Sequence, residues 1–380
     1  MIYLDHHATT QPSPAVIDTI AAVMTTAWAN ASSQHAPGQA AKRTLGSARA
    51  TVARVLGCKT SEVVFTSGAT EANHLAVRGL LAAAPRRGRV LFGAVEHASH
   101  LKLAHDLEDA GVPVDLLPVK ADGTLDLEAA RRLIGADVAV ISLMAANNET
   151  GVLMPVAEVA ALAQAMGARL HVDATQWIGK LPFNFADWGA DAVSFSAHKF
   201  HGPKGAGALL LRQGTALFPT VPGSQERGRR GGTENLPAIA GLATALEALG
   251  ELDAEATRQA ALRDRLEAAL VAELPDVHIW CRHLPRLPGV SFLRVGRWSA
   301  DVLLQRLERL GFAASSGAAC SSSGSAPSHV LTAMGVPEDV ALCAIRLSLG
   351  RTTTAAEVDA LIAALPTLRT LLPSAEAVAA

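Results

Sequence analysis

Short apolar runs alternate along this chain with longer stretches in which apolar residues recur at helical spacing. Glu62–Phe65, Arg89–Val95, Val112–Val119, Asp137–Met144, Arg169–Val172, Ala192–Phe195 and Ala208–Leu211 read as buried strands. Between them the period lengthens. Ser13-Pro14 opens a helix through Val16, Ile17, Ile20 and Val23. Further helices are expected at about 38–56, closed by Gly57, then at 71–81, 126–134 and 155–166. Residues 235–273, rich in Ala and Leu, read as one helical hinge. Beyond it come strands at 277–281, 289–295 and 344–349 and helices at 300–310 and 355–370. Strands alternating with helices predict an α/β unit with a mostly parallel sheet, followed by a smaller α+β unit. The boundary is placed near residue 250.

The polar residues fall where the apolar runs stop. Arg169–Val172 ends in Asp173 and Gln176, and Ala192–Phe195 ends in Ser196, His198 and Lys199. In an open parallel sheet, ligands bind beyond the carboxyl ends of the strands. A lysine there either pairs with a carboxylate or forms a Schiff base with a carbonyl cofactor. The chain has seven lysines, and only Lys199 sits between a strand and a small-residue loop with Ser, His and a strand-end Asp nearby. Pyridoxal phosphate needs a lysine for its aldehyde and an acid for its ring nitrogen. Thr66-Ser67-Gly68-Ala69-Thr70-Glu71 opens a helix, whose free N–H groups and dipole suit a phosphate. Alone, Thr70 reads equally as a plain cap. Gly202-Pro203-Lys204-Gly205-Ala206-Gly207 lacks the Gly-Lys-Ser/Thr ending of a nucleotide loop.

Two later stretches change the picture. Residues 313–328, AASSGAACSSSGSAPS, hold almost only Ala, Ser and Gly, yet lie between apolar elements and carry Cys320. The plain reading is a linker. The other is an arm for a thiol with a pKa of about 8.5 and so partly ionised. Ile345–Arg351 is an apolar strand bearing Arg346, an arginine that either forms an ion pair or clamps a carboxylate in bidentate fashion.

Taken in order, these motifs resemble the cysteine desulfurases, the NifS/IscS-like branch of class V aminotransferases. The resemblance rests on Asp5-His6-His7-Ala8-Thr9-Thr10, Asn30-Ala31-Ser32-Ser33-Gln34-His35, the Ala69-Thr70 turn, Glu96-His97, Asn147-Asn148-Glu149, HVDATQ, SAHKFHGPKG, Gly232-Thr233-Glu234-Asn235, Ser315–Cys320 with Pro327-Ser328-His329, and Arg346. It runs from Tyr3 to about Arg351. Two histidines stand where the family usually has asparagines, and Ala31 replaces a proline.

The resemblance implies a fold type I pyridoxal-phosphate enzyme with a seven-stranded, mostly parallel sheet between helices. It implies a large domain at 13–250 and a small domain made of 1–12 and 251–380. Lys199 carries the cofactor, Asp173 holds its ring nitrogen, and His97 stacks on the ring and shuttles protons. Gln176 and Asn148 bind the phenolic oxygen, and Ala69, Thr70, Ser196 and His198 complete the cofactor set. Thr233 reaches the phosphate of a partner subunit, which implies a homodimer. Arg346 and Asn30 bind L-cysteine. Cys320 takes the sulfur as a persulfide for an acceptor such as an iron–sulfur scaffold, with alanine as the other product. Nitrogenase assembly, tRNA thiolation and molybdenum-cofactor sulfuration stay open as destinations, as does a transient iron–sulfur cluster on Cys320. A selenocysteine lyase or another class V enzyme is the alternative chemistry. A non-catalytic scaffold for sulfur-transfer partners is the alternative of another kind.

Composition narrows the rest. The formal net charge of −2 offers no field for nucleic acid or an anionic membrane. No apolar run is long enough to span a bilayer, and MIYLDHHATT has neither a basic start nor an apolar signal core, so a cytoplasmic protein is expected. Four cysteines without CxxC spacing make neither a disulfide framework nor a zinc site. The adjacent His6 and His7 point to opposite faces of an extended segment, which argues against a shared metal and puts one of them near the substrate entrance. His100 and His105 read as bystanders. The one tyrosine, Tyr3, leaves contacts to the cofactor oxygen to amides and histidine.

Overall fold

A computed structural model of the chain describes residues 1–274, 276–317 and 326–372. Its strands are β1 (Ile2–Tyr3), β2 (Val63–Thr66), β3 (Arg89–Gly93), β4 (Val114–Leu117), β5 (Val138–Met144) and β6 (Arg169–Asp173). They continue with β7 (Ala192–Ser196), β8 (Gly207–Leu211), β9 (Val277–Trp280), β10 (Val290–Val295), β11 (Phe312–Ala313) and β12 (Ile345–Ser348). Seven of them form one sheet in the order β2-β8-β7-β6-β5-β3-β4. β7, β6, β5, β3 and β4 pair in parallel, and β8 runs antiparallel to both its neighbours.

Strands β2, β5, β7 and β8 are buried along their whole length. This is why they read as unbroken apolar runs: a parallel sheet covered on both faces has no solvent side to encode. Alternate residues serve the two layers. Leu209 and Leu211 pack with Leu75, Leu80, Leu103 and Leu107 on one face. Ala208 and Leu210 face Leu45, Val52, Ile239 and Leu242 on the other. Each fully buried leucine contributes about 2 kcal/mol relative to exposure.

A three-stranded antiparallel sheet, β12-β10-β9, follows in the C-terminal part, and β1 pairs in parallel with β11. Leu4 packs there with Leu266, Leu303, Ile345, Leu361 and Leu365. The N-terminal segment thus belongs spatially with residues from the far end of the sequence.

Two boundaries differ from the sequence expectation. The stretch 235–273 is two helices, Leu236–Glu247 and Leu252–Glu273, parted at Gly250, whose φ of +61° a helix cannot hold. The expected strand 112–119 shortens to Val114–Leu117 at the sheet edge, where Asp115 and Leu116 are exposed. Among the described residues no helix is long and apolar enough to cross a membrane.

Candidate active site

Asp173 closes β6 and Ser196 closes β7, on neighbouring parallel strands. A single 3-10 turn, Ala197–Lys199, then presents His198 and Lys199. Aspartate and lysine therefore meet at the carboxyl edge of the sheet. The next strand begins at Gly207, where a Cβ would come within 2.6 Å of the Gly68 Cα. Glycine on both sides lets β8 pass the start of helix Ala69–Ala82, which has no side-chain cap. Its first N–H groups are left for a ligand.

The N-terminal segment lies across this turn. Thr10 donates to the His198 carbonyl from both its N–H (2.9 Å) and its hydroxyl (2.8 Å). Lys199 Nζ donates to the carbonyls of His7 (2.5 Å) and Ala8 (2.8 Å). Gln176 Nε2 donates to the same His7 carbonyl at 2.9 Å. His6 and His7 take opposite sides. His7 lines the cavity, whereas His6 is buried against Thr353 and the edge of the Tyr3 ring.

One cavity of about 340 Å³ gathers ten of the expected site residues: Ala69, Thr70, His97, Asn148, Asp173, Gln176, Ser196, His198, Lys199 and Arg346. Asn30 and Thr233 are not among them. They line a separate cavity of about 360 Å³ beside Trp28 and Leu236, with both side chains exposed. Within one chain, then, Asn30 and Thr233 lie apart from the cavity that holds Lys199. Asn30 Oδ1 accepts from the Ser32 N–H at 2.8 Å, in the loop that leads into helix Ala36–Val55. Cys320 lies outside the described residues. Gly317, three positions before it, lines the first cavity.

The electrostatics are set by burial. Asp173 Oδ1 accepts from Thr175 N–H at 2.8 Å, and Oδ2 accepts from Asn73 Nδ2 at 2.9 Å. Burial works against its charge. His100 and the Thr175 hydrogen bond work for it, and the balance holds the carboxyl below its ordinary value. His97 is lowered by burial. Its Nδ1 accepts from the Ser99 N–H at 3.2 Å, so the neutral ring carries its proton on Nε2. Burial and Lys199 push His198 down to about 4. Arg346, on β12, is buried. It donates to Asp5 Oδ1 and to the Asn148 carbonyl, both at 2.8 Å. Its apolar flanks do mean a buried strand, as read from the sequence.

Several residues here escaped sequence reasoning. His100 is no bystander: its Nδ1 lies 3.7 Å from Asp173 Oδ2 and 3.6 Å from Glu96 Oε2. Behind Asp173, Asn73 accepts from Ser194, which meets His171, which meets Ser142. Glu96 is raised well above its ordinary value by burial and accepts from the Met144 N–H at 2.6 Å. Lys180 is buried with no hydrogen-bond partner among the described residues, and burial, then Lys199, lowers it to about 7. A signal existed for two of them. Asn73 is one helical turn after Ala69 and so shares a face with a site residue, and His100 lies in the first turn of the helix that His97 caps. His105 remains exposed, paired with Glu108.

The cavity fits pyridoxal phosphate. It offers a carboxylate at one end, an uncapped helix start at another, and Lys199 between. Asn148 Oδ1, Thr175 Oγ1 and Gln176 Oε1 are buried there without partners among the described residues. A polar aromatic ring bearing hydroxyl and phosphate groups would satisfy such atoms. Among the described residues no group of three His, Cys, Asp or Glu is placed to hold a metal ion.

Comparison with known proteins agrees. The Aminotransferase class-V family profile matches residues 2–361. The chain is 45% identical to a cysteine desulfurase of Cereibacter sphaeroides, over 96% of this chain and 95% of that one. It is 44% identical to a cysteine desulfurase of Rhodobacter capsulatus, over 96% and 95%. A solved NifS-like protein superposes with a TM-score of 0.90 at 34% identity, covering 98% of this chain and all of the other. With a pyridoxal-phosphate cavity at the carboxyl edge of this sheet and relatives matched along almost its whole length, the chain belongs to the class V aminotransferases, in their cysteine desulfurase branch.

Proposed function

We propose that the protein removes sulfur from L-cysteine, releasing L-alanine and leaving a persulfide on Cys320 for an acceptor protein. The observation that carries this is the placement of Asp173 and Lys199 on adjacent strand ends of one cavity, with Arg346 on its wall and Gly317 at its rim.

The chain's own groups divide the work. Helix Ala69–Ala82 would hold the cofactor phosphate at its first N–H groups, with Thr70 and Ser196 lining the same cavity. Asp173 would pair with the protonated ring nitrogen. When bound, pyridoxal phosphate supplies a covalent attachment for the amino group and a sink for electrons released at the amino-acid carbons. Arg346 holds the substrate carboxylate. The Lys199 amine, set by two backbone carbonyls, moves protons at those carbons. His97 Nε2 shares that task. The Cys320 thiolate attacks the substrate sulfur: a sulfur–sulfur bond forms, the carbon–sulfur bond breaks, and its electron pair takes a proton at carbon to give alanine. Cysteine and enzyme thiol become alanine and enzyme persulfide, so no external oxidant is needed.

Asn30 and Thr233, exposed together outside this cavity, fit a role across a two-fold interface, where Thr233 would reach the phosphate of a second copy. An iron–sulfur scaffold is the sulfur acceptor this reading favours. The test is alanine release from L-cysteine by the cofactor-loaded protein with a thiol reductant. Stoichiometric alanine and sulfide are expected, with sulfide and persulfide lost in Cys320→Ala. Undiminished sulfur transfer by that variant would overturn the assignment of Cys320.

A further inference from the structure

Glu149 is a charged residue that the proposed chemistry does not use, yet it is 1% exposed beside the cavity. It sits in the turn after β5. Its N–H donates to Asn147 Oδ1 at 2.9 Å, and Asn147 Nδ2 is tied to the Val95 carbonyl at 3.0 Å. The backbone that carries the carboxyl group is therefore tied in place. In front of it stand both ends of the run that contains Cys320.

On one side is Gly317, with φ +75°. A Cβ there would come 3.3 Å from both Glu149 Cγ and Oε2, and 3.0 Å from the Phe292 ring. The Glu149 carboxyl group and the Phe292 ring thus leave little room for any side chain at this position. Its N–H donates to Ser315 Oγ at 3.2 Å, and Ser315 pairs through its backbone with Arg346. On the other side is Ser328, 1% exposed, whose hydroxyl donates to Glu149 Oε2. The same hydroxyl accepts from the Leu331 N–H at 3.2 Å and so caps helix His329–Ala333. His329 Nε2 meets the Glu96 carbonyl at 2.8 Å, which pins the helix start to the strand end that bears His97. One residue before Glu149, the Asn148 carbonyl accepts from Arg346.

From this geometry we infer that Glu149 is a positioning residue, a clamp that holds Gly317 and Ser328 on one carboxyl group and registers both ends of the Cys320-bearing run against Arg346. The inference deepens the proposed function and rests on its assignment of Cys320 as the sulfur-accepting thiol. A thiol that must reach substrate sulfur gains rate from holding its attachment points in place, because each ångström of misplacement at the reacting centre is costly. A surface ion pair would not do this. Glu149 accepts from the Ser328 hydroxyl at one end of the run and crowds the side-chain position of Gly317 at the other, and its own turn is tied to the Val95 carbonyl through Asn147.

The experiment compares wild type, Glu149→Ala, Glu149→Gln and Ser328→Ala as full-length, cofactor-loaded proteins. Three quantities are read: the L-cysteine concentration giving half the cofactor's spectral change, the rate of persulfide formation on Cys320 by mass spectrometry, and backbone amide exchange at residues 313–317 and 328–333. For Glu149→Ala the persulfide rate should fall at least tenfold while half-saturation moves less than threefold. Exchange at Gly317 and Leu331 should accelerate. Glu149→Gln, which keeps an oxygen for Ser328, should recover most of the rate. Ser328→Ala, which leaves the carboxyl group in place, should lose several-fold and stands in if Glu149→Ala does not fold. Unchanged exchange in both alanine variants would overturn the clamp whatever the thiol does. Equal losses in cysteine binding and persulfide rate would also overturn it, by showing a general collapse of the turn around Arg346. If exchange responds while wild type forms no persulfide on Cys320, the assignment of the thiol fails and the structural clamp stands.

Discussion

One anchor of the loop that carries Thr233 is a buried ion pair, and its removal should be costly. Arg49 Nη2 lies 2.6 Å from Glu226 Oε1, and Arg49 Nη1 lies 2.7 Å from Oε2 and 2.7 Å from the Val63 carbonyl. The Phe65 N–H also donates to Oε2 at 3.0 Å. The side chains are 11% and 1% exposed. Glu226→Gln preserves shape and one acceptor but leaves the guanidinium without its countercharge. Breaking a buried pair on one side costs about 3–5 kcal/mol, because the surviving charge stays desolvated. For 380 residues, an unfolding entropy of about 2.1 cal/mol/K per residue makes that a fall in Tm of roughly 4–6 °C. Glu226→Ala should cost about 1–3 kcal/mol more, since it also orphans the Phe65 N–H. The double change Arg49→Met with Glu226→Leu should recover the part of the loss that comes from the stranded guanidinium, because no buried charge remains, but not the part from the orphaned Phe65 N–H and Val63 carbonyl. Differential scanning calorimetry and urea unfolding read all three. A loss below about 1 kcal/mol in Glu226→Gln would refute the reasoning, by showing that water reaches the guanidinium.

Lys199→Ala should abolish the absorption band of the lysine-bound cofactor; a variant that keeps that band would sink the Schiff-base assignment. His6, buried and lowered by burial from 6.5 to about 4, resists protonation only in the folded chain. The unfolded chain therefore binds the extra proton between about pH 4 and pH 6.5, and folding stability falls as pH drops through that window. His6→Asn should flatten the fall by about one proton's worth of slope, read from urea unfolding at a series of pH values, and coincident slopes would dispose of the claim. Lys180 is a buried amine lowered to about 7, against about 10.4 when unfolded. Its penalty grows as pH falls below 10.4 and is complete below 7. Lys180→Met should accordingly stabilise the protein at neutral pH by at least about 1 kcal/mol, and a destabilised variant would reveal a partner for the ammonium.

The parts of this protein legible from residue order are those in which chemistry and local pattern coincide. Asp173 and Lys199 each follow an apolar run, so their arrival at strand ends needed only the pattern. Gly57, Ser13-Pro14 and the Ala69-Thr70 turn announced themselves through caps and small residues. Residues 235–273 were legible as helical, but Ala and Leu suit a helix on both sides of the break, so where it falls shows only in the positive φ of Gly250. Where Asn30 sits was not legible locally: its motif marks a loop, but only the packing shows that this loop lies beside Thr233 rather than beside Lys199 within one chain.

The sequence by itself determined the alternation of strands and helices, the apolar faces, and the types of reactive side chain at strand ends. These follow from periods of two to four residues, which need no knowledge of distant contacts. Tertiary structure alone decided which of those side chains meet. His7 hydrogen-bonds through its carbonyl to Lys199, 192 residues away. Asp5 pairs with Arg346 across 341 positions. His100 turns inward to Asp173, while His105, five residues later on another face of the same helix, stays in water. Such partnerships arise because a buried charge or amide must find a partner wherever the packed core brings one within reach, and no local pattern records where that will be.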